Sequence, residues 1–381
     1  MKVTCLQREL SRGLGILNRM RPASATVKEA FPVTGHVLVA AESSRLKLVA
    51  TNLEVAITCW IGAQVQEEGA FTMPARLLTS IIKLLPNERV EMVRDVPARS
   101  VKLRCARFEA RISGMEAEEF PSIPRTSEGI TTRVVPEALK LAINQVVFAA
   151  ATEDSRPVLT GIDSVFEGNQ LTLAAVDGFR LAVHRLPLAS PVAEKVSVII
   201  PSRSLAELGR LLGEEKEPVE ITVSPAQSQV LFRLSSLEMV SKLLLNTFPN
   251  WSKHIPGSHT TRATVGVAEF LRATRIASLF AKDDSGIVRI RITPGAELTV
   301  GKMALSAWAE ETGEDLGEID AQVEGEPAKI AFNSRYLLGV LRVMRTEKVN
   351  IEVTTSSNPA LFKPEGVDNY TYVLMPVSVQ W

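Results

Sequence analysis

Three pairs of basic residues, each spaced seven positions apart, are the sequence feature best suited to chemistry. The pairs are Arg76 and Lys83, Arg203 and Arg210, and Arg335 and Arg342. Residues seven apart on an α-helix share one face, so each pair predicts a cationic stripe on a short helix. Guanidinium and ammonium groups in such stripes neutralise phosphate oxygens, and the pattern therefore indicates a polyanionic ligand.

Two other predicted helices carry similar charge. Arg8, Arg12 and Arg19 lie in one arc of the first helix of the chain, and Arg272 and Arg275 lie on one side of a helix in the third domain. The six predicted helices span residues 7–20, 74–85, 136–149, 202–212, 268–281 and 333–345. They hold 13 basic and 4 acidic side chains, so they carry net +9 and the rest of this neutral chain carries net −9. A charged helix face is most often only solvated surface. Its recurrence on five of six helices favours phosphate binding instead.

The kind of contact follows from what these helices lack. They contain no interleaved aromatic residues for stacking on unpaired bases, and no Asn, Gln and Arg constellation for reading base edges. We therefore expect sequence-independent contact with a nucleic-acid backbone.

The basic pairs lie within a long internal repeat. Three segments read alike: FTMPARLLTSIIKLLPNERVEM from Phe71, VIIPSRSLAELGRLLGEEKEPVEITV from Val198, and IAFNSRYLLGVLRVMRTEKVNIEV from Ile330. Each predicts a strand, a short helix, a turn and a strand, and the period is that of a whole domain. Alternating runs such as HVLVA and QLTLAAVDGFRLAVHRL predict antiparallel strands between the helices.

The expected fold is therefore α+β, with three similar domains that each pack two helices on antiparallel sheets. Pro-containing joints at 120–124 and 248–256 place the domains at residues 1–123, 124–250 and 251–381. In the helix after Pro74, the apolar residues are expected to pack on the sheet together, opposite the basic stripe. They are Leu77, Leu78, Ile81, Ile82, Leu84 and Leu85.

Catalytic and metal-binding motifs are absent from the sequence. It contains no GxxxxGK[ST] phosphate loop and no HExxH zinc motif, and its four histidines have no ligand spacing. Paired carboxylates of a metal-dependent nuclease are the remaining enzymatic option, with Asp154, Asp177, Asp283 and Asp284 as nominal candidates. Turn formation is the favoured role for them, and we expect no catalysis, no cofactor and no metal.

Composition indicates an ordered cytoplasmic protein. Hydrophobic residues make up 45% of the chain and charged residues 23%, which allows large aliphatic cores. Cys5, Cys59 and Cys105 have no disulfide or zinc spacing. No run approaches the ~18 apolar residues of a membrane span, and charge follows the first methionine too early for a signal peptide.

Four local motifs carry a family resemblance. They are SRPVLTG from Ser155, VDGFRLA from Val176, FPNW from Phe248, and Met375-Pro376 followed by an apolar residue. With them, the whole chain resembles the bacterial DNA polymerase III β subunits, the DNA sliding clamps. The resemblance implies the DNA clamp fold and a head-to-tail homodimeric ring of six domains around double-stranded DNA. It also implies a processivity factor for DNA replication. A protein that coats open duplex without encircling it is the alternative.

The resemblance also implies positions that face the duplex. By local motif they are Arg76, Lys83 and Arg203, with Arg21 in the loop after the first helix. Arg12, Arg210, Arg335 and Arg342 are added from periodicity.

A cleft for short linear peptides is a further implication, with the DNA polymerase III catalytic subunit, the clamp loader, and other polymerases and repair proteins as partners. The matching positions are Arg156, Leu159, Val176, Gly178, Phe179, Arg180, Leu181, Pro249, Tyr336, Val373, Met375, Pro376 and Val377. A Met and small apolar residues suit varied partners. Alternatively, these residues only pack two domains together. Val176 replaces the family's usual Thr, Ser378 replaces a basic residue, and Gln380-Trp381 extends the end.

A basic strand and an acidic run are candidates for the contact between subunits. The candidate residues are Arg104, Arg107, Phe108, Arg111, Leu279, Phe280, Glu310, Glu311 and Glu314. An edge strand of the first domain would pair with the third domain of the partner subunit. Two copies joined in this way would close into a ring. Unrelated surface charge is the alternative.

Overall fold

A computed structural model of the chain describes residues 1–20, 31–123, 129–153, 155–213, 215–281, 286–296, 300–310 and 313–381. Within them lie six α-helices, which we number in chain order. They are α1 (Gln7–Leu17), α2 (Ala75–Leu84), α3 (Pro136–Val146), α4 (Ser202–Leu211), α5 (Val267–Phe280) and α6 (Ser334–Val343). All six predicted helices are confirmed. The helix predicted at 136–149 ends as an α-helix at Val146, and a 3-10 turn follows at Val147–Ala149.

Strands outnumber helices fourfold in the described residues. They are β1 (Lys2–Leu6), β2 (His36–Glu42), β3 (Arg45–Thr51), β4 (Val55–Glu67), β5 (Gly69–Pro74), β6 (Arg89–Asp95), β7 (Ser100–Cys105), β8 (Phe108–Ser113), β9 (Ile130–Val134), β10 (Gly161–Glu167), β11 (Gln170–Val176), β12 (Arg180–Pro187), β13 (Val196–Pro201), β14 (Val219–Ser224), β15 (Gln229–Arg233), β16 (Leu237–Lys242), β17 (Thr261–Gly266), β18 (Ile287–Thr293), β19 (Gly301–Ala309), β20 (Gly313–Gly325), β21 (Ala328–Asn333), β22 (Lys348–Val353), β23 (Ala360–Pro364) and β24 (Tyr370–Leu374). Further 3-10 turns are Pro32–Gly35, Ala117–Glu119, Pro157–Thr160 and Trp251–His254.

One compact unit comprises Met1–Pro136 and Arg210–Leu243 and contains one 12-stranded sheet. Its main path is β8-β7-β6-β1-β4-β16-β15-β14-β9, and β2, β3 and β5 branch from β4 through β3. The pairing of β4 with β16 makes β14, β15 and β16 part of the same sheet as the N-terminal strands. Every ladder in this sheet is antiparallel, as predicted.

The second unit comprises Glu137–Gly209 and Leu244–Trp381 and contains the other 12-stranded sheet. Its order is β13-β10-β11-β12-β24-β23-β22-β17-β20-β19-β18-β21. The antiparallel pairing of β12 with β24 places Arg180 opposite Leu374. The loop before β12 and the segment after β24 therefore lie at the same end of the sheet.

Helix α2 corrects one expectation from its sequence. Leu78 and Ile82 are fully buried, but Leu77 is 49% exposed and Leu84 is 86% exposed. A helix offers only one arc to the sheet beneath it, and Leu78 and Ile82 fill that arc at i, i+4 spacing. Leu77 and Leu84, at i, i+7 spacing, instead form a second apolar stripe that faces solvent within this chain.

A buried hydrogen-bond chain links α3, α6 and β12. Gln145 Nε2 donates to the Val343 carbonyl at 3.0 Å, and its Oε1 lies 2.7 Å from His184 Nδ1. An amide oxygen only accepts, so His184 must carry its proton on Nδ1. Burial lowers the pKa of His184 to about 4, which keeps the ring neutral.

Candidate functional site

The basic helix positions are all exposed wherever the structure describes them. Arg12 lies on α1, Arg76 and Lys83 on α2, Arg203 and Arg210 on α4, and Arg335 and Arg342 on α6. Arg76, Lys83, Arg203, Arg335 and Arg342 belong to no ion pair within the described ranges, so their charge is not compensated locally. Arg21 lies outside the described residues.

The loop between β11 and β12 is built around Asp177. One carboxylate oxygen of Asp177 accepts the backbone N–H groups of Phe179 at 2.9 Å and Arg180 at 3.1 Å. Gly178 has φ +96°, which only glycine adopts without strain. The Phe179 carbonyl accepts the Met375 N–H at 2.9 Å, so the loop is tied to the segment that follows β24.

Arg180 is the centre of a stack of rings. Its Nε donates to Asp177 at 2.8 Å, and its guanidinium lies 4.5 Å from the Tyr336 ring centroid and 5.5 Å from that of Phe148. Phe179 also stacks on Tyr336, with ring centroids 6.0 Å apart. Guanidinium groups bind aromatic faces through the ring quadrupole, most strongly where water is excluded. The stack therefore fixes the side chains around Arg180.

An apolar cavity of about 480 Å³ lies beside this loop. Seven predicted peptide-binding residues line it: Val176, Gly178, Phe179, Arg180, Leu181, Val373 and Met375. Leu181 and Val373 also belong to a buried cluster against which Trp251 packs. The Trp251 indole N–H donates to Asp163 at 2.8 Å, which holds the start of the 251–256 segment in place.

A second, more polar cavity of about 530 Å³ adjoins the same loop. Arg156, Leu159 and Tyr336 line it together with Gly178, Phe179 and Arg180. Arg335, predicted from periodicity to face DNA, also lines this cavity. Three predicted residues, Pro249, Pro376 and Val377, line neither cavity.

Sequence reasoning missed part of the lining of both cavities. The apolar cavity also includes Lys253, His254, Ile255, Pro256, Thr354, Asn358 and Pro359. The polar cavity also includes Ala150, Ala151, Thr152, Glu153, Ser155 and Asp177. The run SKHIP directly after FPNW was a usable signal, because an Ile and a Pro in a polar joint indicate an apolar contact there.

The predicted basic strand around Arg104, Arg107 and Arg111 is not one strand, because a turn at 106–107 divides it into the end of β7 and the start of β8. Strand β8 pairs only with β7 and leaves its other edge open in the described chain. Phe108 is exposed at its start. Part of the basic charge is compensated nearby, since Arg104 Nε bonds Glu109 at 3.0 Å and Arg111 lies 3.7 Å from Asp95. Arg107, in the tight turn between β7 and β8, has no such partner in the described ranges.

The predicted acidic contact has an open edge as well. Residues 313–320 of β20 pair with β19 alone, while residues 322–325 pair with β17. Leu316 is 73% exposed, and Trp308 is exposed on the neighbouring strand. Leu279 and Ile276 of α5 are exposed too, and Phe280 is partly buried. Glu310 and Glu314 are exposed, and Glu311 lies outside the described residues.

Asp177 has the local structural role that the sequence favoured. Both of its carboxylate oxygens are occupied by the loop backbone and Arg180. Asp154, Asp283 and Asp284 lie outside the described residues. Across the described ranges, no cluster of His, Cys, Asp and Glu has the geometry of a metal site. None of the helices described is long and apolar enough to cross a membrane.

Models of three domains of the DNA polymerase III beta subunit match the chain. The N-terminal domain model matches residues 15–124, the central domain model 133–250 and the C-terminal domain model 252–378. The chain belongs to this family. It is a DNA clamp for replication, built from three domains, and acts as a non-catalytic processivity factor.

Relatives and solved structures agree with this assignment. The beta sliding clamp of Synechococcus elongatus is 29% identical over 383 residues, which cover 100% of both chains. That of Staphylococcus aureus is 29% identical over 91% of this chain and 92% of its own. The sliding clamp of Bacillus subtilis matches with a TM-score of 0.93 at 26% identity, and that of Pseudomonas aeruginosa with 0.89 at 26%. Both alignments cover 100% of each chain.

Proposed function

We propose that two copies of this chain join head to tail into a closed cytoplasmic ring that encircles duplex DNA. The ring tethers the DNA polymerase III catalytic subunit, the clamp loader and other polymerases and repair proteins through its cavities. The observation that carries the proposal is the recurrence of an exposed basic pair, seven residues apart, on α2, α4 and α6. The domain boundaries at residues 123 and 250 are part of the proposal.

The exposed basic residues suit a phosphate backbone better than a specific base sequence. Lysine and arginine side chains that lack ion partners are available to displace the counterions condensed on DNA. Helices α2 and α4 contain no aromatic residue, and Tyr336 of α6 is stacked with Arg180 and Phe179, so the contact would be electrostatic and indifferent to sequence. Such contacts leave the protein able to move along the duplex. Retention then depends on topology rather than affinity.

Two open strand edges support the head-to-tail contact. The free edge of β8 has basic neighbours, including Arg107, whereas the free stretch 313–320 of β20 has acidic ones, including Glu314 and Glu318. An exposed strand edge tends to pair with another strand, and opposite charges select the partner. Leu77 and Leu84 of α2 and Leu316 of β20 supply apolar area for burial. Because the two edges differ, the contact is heterologous, and in the proposed ring two such contacts complete the rotation.

The two cavities support peptide binding by several partners. Both lie beside the loop 177–180, one with a mainly apolar lining and one with guanidinium groups. Met375, with its flexible thioether, lets the apolar cavity adapt to different side chains. Short extended peptides with apolar residues would fit this arrangement.

Imaging of the assembled particle tests the ring. We expect electron microscopy to show a two-copy particle with a central opening wide enough for a double helix, about 20 Å across or more. Phe108→Asp, which places a charge on the β8 edge, should convert it to single copies, whereas Phe31→Asp on an exposed loop should not. Single subunits without an aperture in the unmodified protein would contradict the ring.

A further inference from the structure

Three basic side chains share the face of strands β18 and β21 that points away from the core. Arg289 and Arg291 belong to β18, and Lys329 belongs to β21. Val288 and Ile290 alternate with the arginines and are buried, and successive side chains of a strand point to opposite faces. Lys329 pairs directly with Arg291, and directly paired residues lie on the same face. The three cations therefore form one group, which we call the basic patch.

The charge of the basic patch is not compensated by its surroundings. Arg291 and Lys329 are like charges placed directly opposite each other, which destabilises a sheet. Within the described ranges, no cation of the basic patch belongs to an ion pair. The Lys329 ammonium lies 5.7 Å from the centroid of the Trp381 indole, and a neutral ring leaves that positive charge in place. A positive potential therefore remains on this face.

The next strands of the sheet do not supply the missing anion. Ala304 of β19 lies opposite Arg291, and Glu318 of β20 lies opposite Ala304. The Glu318 carboxylate is bound by Lys302 at 2.8 Å. Ala304 and Ser306, both small, thus separate the basic patch from the acids of β20 and leave a shallow floor beside it.

The surface around the basic patch limits the size of the ligand. Outside the six predicted helices the chain carries net −9. On the same face, two strands away, β20 presents the exposed acids Glu314, Glu318 and Asp320. A long polyanion such as duplex DNA would be repelled by these acids. A short acidic segment that covers only the basic patch would not.

The spacing of the cations defines the segment. Residues two apart on a strand are separated by about 6.8 Å, and alternate side chains of an extended peptide have the same separation. Guanidinium groups bind carboxylates through two parallel N–H donors. Two carboxylates with one residue between them therefore match Arg289 and Arg291. The carboxylate at Arg291 also lies within reach of Lys329, because directly opposite residues are only about 5 Å apart.

We propose that the basic patch is a docking surface for a short acidic segment of a partner protein. The segment lies extended along β18, with two carboxylates separated by one residue on Arg289 and Arg291. The second of these carboxylates also relieves the repulsion between Arg291 and Lys329. None of the three cations lines either cavity beside the loop 177–180. The inference goes beyond the proposed function and depends neither on the cleft nor on the ring.

Two peptides of equal charge test the docking surface on the full-length protein. Fluorescein-Gly-Ser-Glu-Ser-Glu-Ser-Gly-amide has the matching spacing. Fluorescein-Gly-Ser-Glu-Glu-Ser-Ser-Gly-amide, when extended, places its carboxylates on opposite faces. Fluorescence anisotropy at low salt measures the Kd of each. We expect the first peptide to bind about fivefold more tightly than the second, and Arg291→Gln to abolish this preference.

Arg99→Gln is the matched control, because Arg99 is exposed in the other compact unit and the change removes the same charge. It should leave both Kd values unchanged. Equal binding of the two peptides by wild type, or binding of neither, would overturn the proposal. A short DNA duplex tests the other class of polyanion. If Arg291→Gln weakens duplex binding as much as it weakens the first peptide, the basic patch is a nucleic-acid surface and the proposal is wrong.

Thermal unfolding tests the repulsion without any ligand. Arg291→Gln removes one charge of the like-charge pair, so its unfolding midpoint at low salt should rise by about 1 °C above that of wild type. The gain should disappear at high salt, where the charges are screened, and Arg99→Gln should show no such gain. A midpoint for Arg291→Gln that is unchanged or lower at low salt would show that the pair is already neutralised, and would overturn the proposal.

Discussion

The guanidinium of Arg180 lies 4.5 Å from the ring centroid of Tyr336, which joins strand β12 to helix α6 across 156 residues of sequence. Gly339 leaves room for this arrangement, since a Cβ there would lie 3.2 Å from the Phe148 ring and 3.5 Å from the Arg180 guanidinium. The surroundings of the loop 177–180 are thus assembled from the middle and C-terminal thirds of the chain.

Replacing Arg180 should cost both stability and peptide binding. Arg180→Gln removes the ion pair with Asp177 and two cation–π contacts in a water-poor site, so we expect the free energy of unfolding to fall by about 3 kcal/mol. Arg180→Lys keeps the charge but not the planar guanidinium group, so its free energy of unfolding should lie between those of wild type and Arg180→Gln. Urea denaturation measures the change. Arg185→Gln on the same strand is the control, and an equal loss there would contradict a special role for Arg180.

Acid should destabilise the fold through His184. Its pKa is lowered from 6.5 to about 4 by burial, so between these values the unfolded chain binds a proton that the folded chain does not. The stability contributed by the neutral ring is complete above pH 6.5 and is lost as pH falls toward 4. The loss approaches about 3 kcal/mol at 1.36 kcal/mol per pKa unit. Unfolding free energies of wild type and His184→Gln across pH 4–7 measure it.

The difference in unfolding free energy between wild type and His184→Gln reports on His184 alone, because the carboxylates that titrate in the same pH range are present in both proteins. We expect wild type to lose its advantage over His184→Gln as the pH is lowered. A difference that stays constant with pH would show that the ring does not titrate as described.

Neutralising the basic stripes should weaken DNA contact and its dependence on salt. The variant combines Arg76→Gln, Arg203→Gln and Arg342→Gln, and leaves Arg335 intact because it lines the polar cavity. Each lost phosphate contact lowers the slope of log K against log salt by about 0.9, so a two-copy ring of the triple variant, which lacks six of these arginines, should lose up to about 5. Fluorescence anisotropy with duplex DNA at several salt concentrations measures the slope.

A matched variant neutralises three arginines on sheet strands, at Arg45, Arg133 and Arg291. It removes the same charge from the molecule but none from the helix faces. If both triple variants lose the same slope, the effect is one of net charge, and the helix faces have no special part in binding.

Periodic and repeated features of the fold could be predicted from the sequence. The helix bounds follow from apolar spacing and capping signals, and α1 to α6 lie within a few residues of their predicted places. Strand direction follows from short loops and alternation. The α+β class and the threefold domain organisation follow from the repeat of the helix-containing segments.

Contacts between distant strands could not be predicted in the same way. The pairing of β12 with β24 sets the position of the cleft, yet neither segment carries a local pattern that selects the other. The walls at 253–256 and 354–359 come from loops whose proximity depends on that pairing. The exposure of Leu77 and Leu84 was not predicted for a related reason. Composition alone does not distinguish an apolar stripe that faces the sheet from one that is available to a second subunit.

Retention on DNA circles of defined topology tests the central claim most directly. The protein is loaded onto nicked circular DNA by a clamp loader, washed at high salt, and the bound fraction is measured before and after a restriction enzyme linearises the circle. A ring held by linkage stays on the circle through the wash and leaves within minutes of cutting. Equal retention on circular and linear DNA, or loss from both as salt rises, would contradict encirclement and favour a protein that coats open duplex.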